Sequence, residues 1–177
     1  MNATEGTQWL ARTQRSASRI LAAWNRPPYL ASLKTGRGWD ALLVPQRLGL
    51  TVLHELRELG APVEHIPVLE EHSPPRPNFY ILTKSGVSIT ADHELDVRLL
   101  GAGSVLKAPA PDSAIERVTR QEHHFMWRHR PDGCGTLADP RSLTTALELA
   151  LDTDRQEARH ARARRQMFAS LHRGADQ

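Results

Sequence analysis

The residues of this chain best suited to chemistry are arginines near its C-terminal end. Between positions 155 and 173, Glu157 is the only acidic residue. Six arginines lie in the same stretch: Arg155, Arg159, Arg162, Arg164, Arg165 and Arg173. Guanidinium groups pair with phosphates and carboxylates, so this one-sided field attracts nucleic acid or an acidic partner. A solvated surface helix is the alternative interpretation.

Histidines and a cysteine suggest a metal site at first sight, but their spacing does not support one. His123, His124, His129 and Cys134 match no zinc pattern. Adjacent histidines on a strand point to opposite faces of the sheet. No motif holds a histidine beside Cys134, so a nucleophilic role is also disfavoured. We therefore predict that this segment holds neither a metal ion nor a catalytic thiol.

The spacing of apolar residues predicts the elements that position these groups. Helices are predicted at about Thr7–Trp24, Leu48–Leu59, Pro140–Leu151 and Asp154–His172. Strands are predicted at Tyr29–Leu33, Ala41–Val44, Val63–Leu69, Phe79–Thr83, Leu95–Leu99, Ser104–Ala108 and Phe125–Arg128. The order of elements indicates an α+β fold, with a mixed β-sheet and flanking helices. We expect one domain over residues 1–152 and a basic helical tail over residues 153–177.

Composition narrows the setting in which the chain works. The chain has 177 residues, a net charge of +3 and a single cysteine, so no disulfide can form within it. A reducing, cytoplasmic location is the expected one. No apolar run approaches the length of a membrane span, and residues 1–9 lack the pattern of a secretory signal. We therefore expect no membrane partner.

The order of motifs between about Gly36 and Arg130 carries a family resemblance. A strand at Trp39–Pro45 is followed by Gly49 and a helix, and a later strand with Asp96 precedes a glycine-rich turn. This order resembles the bifunctional primase–polymerase domain of the archaeo-eukaryotic primase group. The resemblance implies a core like that of the RNA-recognition motif (RRM-like).

The acidic residues of the family's first motif are missing. That motif carries two carboxylates, which by register fall on Leu43 and Pro45, and Asp40 lies three residues too early. In the second motif, Asn78 stands about where the family has a histidine. Two-metal nucleotidyl transfer requires several carboxylates around the ions. We therefore predict a catalytically degenerate domain (a pseudoenzyme) with no cofactor.

The third motif is better preserved. Asp96 and Arg98 match the family's acidic strand, Lys107 follows the glycine-rich turn, and Trp127 resembles an aromatic residue that often comes later. With 95–99 and 104–108 paired as a hairpin, Arg98 and Lys107 would hold a phosphate or a nucleic-acid backbone, as the resemblance implies. A solvated sheet face is the alternative. Asp96 is interpreted as a remnant metal or nucleotide ligand, or as an exposed partner of Arg98.

The leading hypothesis is a domain that binds nucleic acid or nucleotide through Asp96, Arg98, Lys107 and the C-terminal arginines, as an accessory or regulatory protein in DNA replication or mobile elements. A second hypothesis is a protein-interaction module whose former active-site surface, including Leu43 and Pro45, meets another subunit. A third is an active Mg²⁺-dependent enzyme that recruits other carboxylates: Asp40, Glu70, Glu71, Asp92 and Asp96.

Trp39 either stacks on a base or, as we expect, packs beneath the sheet.

Overall fold

A five-stranded antiparallel sheet forms the centre of the computed structural model, which describes residues 4–72, 76–86, 88–89, 95–113 and 124–174, with side chains as far as residue 166. Four helices and a second, two-stranded sheet accompany it. The helices are α1 (Glu5–Arg12), α2 (Ala17–Trp24), α3 (Gln46–Glu58) and α4 (Pro140–Gly174). The strands are β1 (Leu30–Lys34), β2 (Trp39–Pro45), β3 (Val68–His72), β4 (Asn78–Lys84), β5 (Arg98–Leu100), β6 (Val105–Pro109) and β7 (His124–His129). The α+β class is confirmed.

The sheet is antiparallel rather than mixed, which corrects the expectation from the sequence. The strand order is β5-β2-β4-β3-β7, and every pair of neighbouring strands is antiparallel. Helix α3 connects β2 to β3, which run in the same direction as each other. Because β4 lies between β2 and β3, these two parallel strands are not hydrogen-bonded to each other. This arrangement is a split β-α-β unit.

Two cores cover the two faces of the sheet. On one face, α3 and α4 pack against side chains that include Leu42, Val44 and Phe79. On the other face, α1, α2 and the two-stranded sheet β1–β6 pack against side chains that include Trp39 and Leu69. Strand β2 is therefore buried along almost its whole length, which explains why its sequence is an unbroken apolar run after Asp40.

The N-terminal helix predicted at 7–24 is two helices instead of one, α1 and α2. The chain turns between them because polar side chains there bond to distant strands. Thr13 donates from Oγ to the Leu10 carbonyl at 2.7 Å and accepts the Trp39 indole N–H at 3.0 Å. The Gln14 side chain exchanges two hydrogen bonds with the Lys34 backbone, at 2.8 and 3.2 Å. Helical periodicity does not register such long-range bonds.

The predicted hairpin over residues 95–108 is wrong. Strand β5 pairs with β2 in the large sheet, and β6 pairs with β1 in the small sheet. The glycine-rich link therefore carries the chain from one sheet to the other. The strand predicted at 63–69 also begins later than expected: a 3₁₀ turn at Val63–His65 precedes β3, which starts at Val68.

The two predicted C-terminal helices are one continuous helix of 35 residues, α4. Pro140 occupies its first turn, where the missing N–H costs nothing. Asp139 caps this end, because its Oδ2 accepts the backbone N–H groups of Arg141 and Ser142, both at 3.1 Å. These hydrogen bonds lower the pKa of Asp139. The helix crosses position 152, the expected end of the domain, without a break.

Candidate nucleic-acid interface

Five side chains lie in register across the sheet on the face away from α3 and α4. Arg98 of β5 is opposite Leu43, Leu43 is opposite Tyr80, and the row continues through Leu69 to Trp127. Leu69 and Trp127 belong to the core beneath α1 and α2. Leu43 stands at the centre of the sheet and is only 4% exposed. Where the resemblance places a carboxylate, the structure therefore has a buried hydrocarbon side chain.

A polar cluster surrounds Leu43. Arg98 Nη2 lies 3.1 Å from Asp96 Oδ1, and the Tyr80 hydroxyl donates to Glu71 Oε2 at 2.5 Å. Burial, followed by the hydrogen bond to Glu71, raises the pKa of Tyr80 well above its usual value. The Arg98–Asp96 pair is about half exposed, so it stabilises the fold little. In this cluster each charged or phenolic group already has a partner in the protein.

Lys107 is not part of this cluster. It lies on β6 opposite Ser32 of β1, with its side chain exposed. Arg98 lies on β5 in the other sheet, so the structure does not place the two cations on neighbouring strands, as the hairpin had required. The ion pair between Asp96 and Arg98 agrees with the second interpretation of Asp96, as an exposed partner of Arg98.

The other acidic candidates are dispersed. Asp40 is buried and accepts hydrogen bonds from the Ser85 hydroxyl at 3.4 Å and the Gly86 amide at 3.3 Å. Glu70 and Glu71 are consecutive on β3, so their side chains point to opposite faces. Asp92 lies outside the described residues. Among the residues that are described, no three His, Cys, Asp or Glu side chains form a group able to hold a metal ion.

Glu70 is the centre of a buried network that the sequence pattern does not predict. Glu70 is 3% exposed, and its carboxylate accepts a short hydrogen bond from the Gln46 side-chain amide at the start of α3. His72 Nε2 lies 3.2 Å from Glu70 Oε1, and Arg128 Nη1 lies 3.9 Å from Oε2. The Arg128 guanidinium also lies over the ring of Phe79, 5.4 Å from its centroid. Glu70 lies two positions after Val68 in β3, so their side chains share one face of the strand. This alternation is the sequence signal for the buried network.

The histidines and the cysteine are not brought together within the described part of the chain. His124 and His129 lie at opposite ends of β7, and His123 falls outside the described residues. Burial lowers the pKa of His129, and the neighbouring Arg128 lowers it further. Cys134 is exposed on a loop, where its amide N–H donates to Asp132. That this segment holds no metal ion therefore stays a prediction.

The tryptophans anchor packing rather than line an open surface. Trp39 is buried, as expected, and its indole bonds to Thr13. The indole N–H groups of Trp24 and Trp127 donate to the carbonyls of Ala108 and Pro109 at 2.9 and 3.0 Å. Both bonds reach β6, so these side chains fasten the small sheet to the rest of the fold.

Helix α4 has a basic extension, which we define as residues 158–174. The Arg47 guanidinium at the start of α3 forms ion pairs with Asp154 and Glu157. These pairs attach α4 to the core at its last anchored turn. Beyond them α4 continues for 17 residues, from 158 to 174. Every described side chain there, from 158 to 166, is exposed apart from the half-buried Ala161.

Four arginines of the basic extension have no partner among the residues that the structure describes. Arg155, before the extension, is 3.2 Å from Asp152. None of the next four forms an ion pair or a side-chain hydrogen bond within the described residues: Arg159, Arg162, Arg164 and Arg165. Glu157, the one acid in this stretch, is engaged by Arg47. Of the predicted site residues, these arginines and the exposed Lys107 carry charge that no partner among the described residues engages.

Comparison of the chain with protein-family models, curated proteins and solved structures gives no match. Among the described residues, no helix is both long and apolar enough to cross a membrane. The long helix α4 is instead strongly basic over its C-terminal half. The geometry of the chain's own residues therefore carries the functional assignment.

Proposed function

We propose that this chain is a non-catalytic nucleic-acid-binding domain of the primase–polymerase type, with an accessory or regulatory role in DNA replication or mobile-element biology. The observation that carries the proposal is the row of unpartnered arginines on the basic extension of α4. Exposed arginines with no internal carboxylate attract phosphates strongly, because no ion pair has to be broken first.

The sheet supports the primase–polymerase part of the proposal. The order β5-β2-β4-β3, with α3 joining β2 to β3, is the split β-α-β arrangement expected of an RRM-like core. Strand β2 with α3 behind it corresponds to the first motif of the resemblance. Leu43 and Pro45 offer no side-chain oxygen at the positions where the family has metal ligands.

Dispersal of the remaining carboxylates favours binding over catalysis. Glu70 is engaged by Gln46 and His72 on one face of β3, whereas Glu71 bonds to Tyr80 on the other. A two-metal site needs its carboxylates around ions about 3.5–4 Å apart. An enzyme rebuilt from these residues would first have to break the bonds that now hold them.

The alternative of a protein-interaction module requires an exposed apolar surface at the position of the former active site. Leu43, the central residue of that position, is 4% exposed. Its neighbours Tyr80 and Arg98 are polar and paired. This surface is therefore a weaker docking site for a protein than the basic extension is for phosphates.

Fluorescence anisotropy with labelled DNA at low salt tests the proposal. The test variant carries Arg159→Gln, Arg162→Gln, Arg164→Gln and Arg165→Gln. The matched control removes the same charge from exposed arginines around α1 and α2: Arg12→Gln, Arg15→Gln, Arg19→Gln and Arg26→Gln. We expect wild type and control to bind at micromolar protein, and the test variant to lose at least about tenfold in affinity. Absence of binding by the wild-type protein at low salt would remove the proposal.

A further inference from the structure

Resting on the proposed function, we propose that the basic extension enters the major groove of B-form DNA and contacts phosphates on both walls of the groove. An α-helix with side chains is about 10–12 Å wide, and the B-DNA major groove is about 12 Å wide. A helix can fit there only if no part of the protein covers it. The described side chains from 158 to 166 meet this condition, since all but Ala161 are exposed.

The arginines of this helix lie on opposing sides. At about 100° per residue, Arg159, Arg162 and Arg165 of the extension fall within an arc of about 120°. Arg164 lies about 160° around the helix from Arg162. A helix resting on a single phosphate row would use only one of these sides. A helix in a groove has a phosphate wall on each side, so Arg164 is used together with the other three arginines.

The residues between the arginines favour a duplex over a single strand. Proteins that bind single strands stack bases on aromatic side chains. No Phe, Tyr or Trp occurs among the four arginines from Arg159 to Arg165, and Phe168 is the one aromatic residue of the extension. The small residues Ala158, Ala161 and Ala163 keep the helix narrow and bring its backbone close to the groove floor. Arginine contacts to phosphate carry no base information, so we infer binding that is independent of sequence.

The shape of the groove also separates DNA from RNA. The major groove of A-form RNA is deep and narrow, and side chains cannot reach into it. A rigid helix is excluded more strongly than a single side chain. We therefore infer a preference for duplex DNA over duplex RNA of the same sequence, in addition to a preference over single-stranded DNA.

Anisotropy titrations with three matched ligands test this inference: duplex DNA, single-stranded DNA and duplex RNA. We expect the duplex DNA to bind at least about fivefold more tightly than either other ligand, as groove insertion requires. Arg162→Gln and Arg164→Gln change one arginine on each side. Each should weaken duplex binding and reduce the salt slope by about 1, and the double variant by about 2. Arg19→Gln on α2 is the control and should change neither quantity.

Three results would overturn the groove geometry while leaving the proposed function in place. One is equal or tighter binding of single-stranded DNA. Another is equal binding of duplex RNA. The third is an Arg164→Gln variant that binds duplex DNA like the wild type, because this arginine would then face away from the ligand. Failure of wild-type protein to bind any of the three ligands would instead remove the proposed function itself.

Discussion

Glu70 shows how a single carboxylate can organise one edge of this fold. It is buried, yet Gln46, His72 and Arg128 all place a nitrogen near its oxygens. A buried charge is tolerated only when it is paired and hydrogen-bonded. The network joins α3, β3 and β7, so its contribution is structural. The adjacent Glu71 points to the opposite face and bonds to Tyr80 instead.

Replacing Glu70 with alanine should destabilise the protein by about 1–3 kcal/mol, because the Gln46 amide, His72 and Arg128 lose their acceptor. Glu70→Gln keeps an acceptor oxygen and should cost less. Urea denaturation followed by tryptophan fluorescence measures both. The control is Glu58→Ala, an exposed residue of α3 that should change stability little. A Glu70→Ala protein as stable as wild type would show that the network contributes nothing.

His129 gives a pH dependence with a defined sign. Burial lowers its pKa from the ordinary value of 6.5, so the folded protein binds the proton less readily than the unfolded chain. The stability that neutral His129 provides is therefore complete above pH 6.5 and is lost as the pH falls through the lowered pKa. As the pH falls over this interval, we expect the free energy of unfolding to decrease less for the His129→Gln variant than for the wild-type protein. Parallel curves for the two proteins would contradict the assignment.

At the scale of elements, the local pattern of the sequence predicts most of the central fold. Strands β2 and β4 and helix α3 each have a periodic or continuous apolar signal, and all three occur within about two residues of their predicted positions. Their signal is strong because each buries one face, or both, against a core. The split β-α-β arrangement depends on which strands pair, and that information is not local.

The elements that were mispredicted are those decided by distant partners. The break between α1 and α2 depends on Trp39 and Lys34, which lie 20 or more residues away from Thr13 and Gln14. Strands β5 and β6 pair with β2 and β1 rather than with each other. The arginines of the candidate interface were visible in the sequence, but their freedom from internal partners was not.

Helix continuity should matter for DNA binding as much as charge does. Ala163→Pro keeps every arginine but removes a backbone hydrogen bond and clashes with the preceding turn. We expect about tenfold weaker duplex binding with an unchanged urea midpoint for the core, since residue 163 lies beyond the packed part of α4. Ala163→Ser is the control and should bind like wild type. Equal binding by the proline variant would mean that an unstructured basic tail suffices.

At the scale of the whole molecule, the packed sheet and the exposed arginines of α4 lie in different parts of the chain. The sheet is covered on both faces by the two cores, so it offers little open surface to a ligand. The net charge is only +3, but four arginines without a partner among the described residues lie within the seven positions from Arg159 to Arg165 of α4. A modest overall charge with a strong local field suits a protein that binds phosphates through one element.

The salt dependence of duplex-DNA binding shows whether the unpartnered arginines of α4 contact phosphates. Each phosphate contact contributes about 0.9 to the slope of log affinity against log salt concentration. Replacing the four unpartnered arginines of α4 by glutamine should therefore make the slope shallower by about 3 to 4. The matched variant with four glutamines around α1 and α2 should keep the wild-type slope. An α4 variant with the wild-type slope would show that these arginines do not contact phosphates.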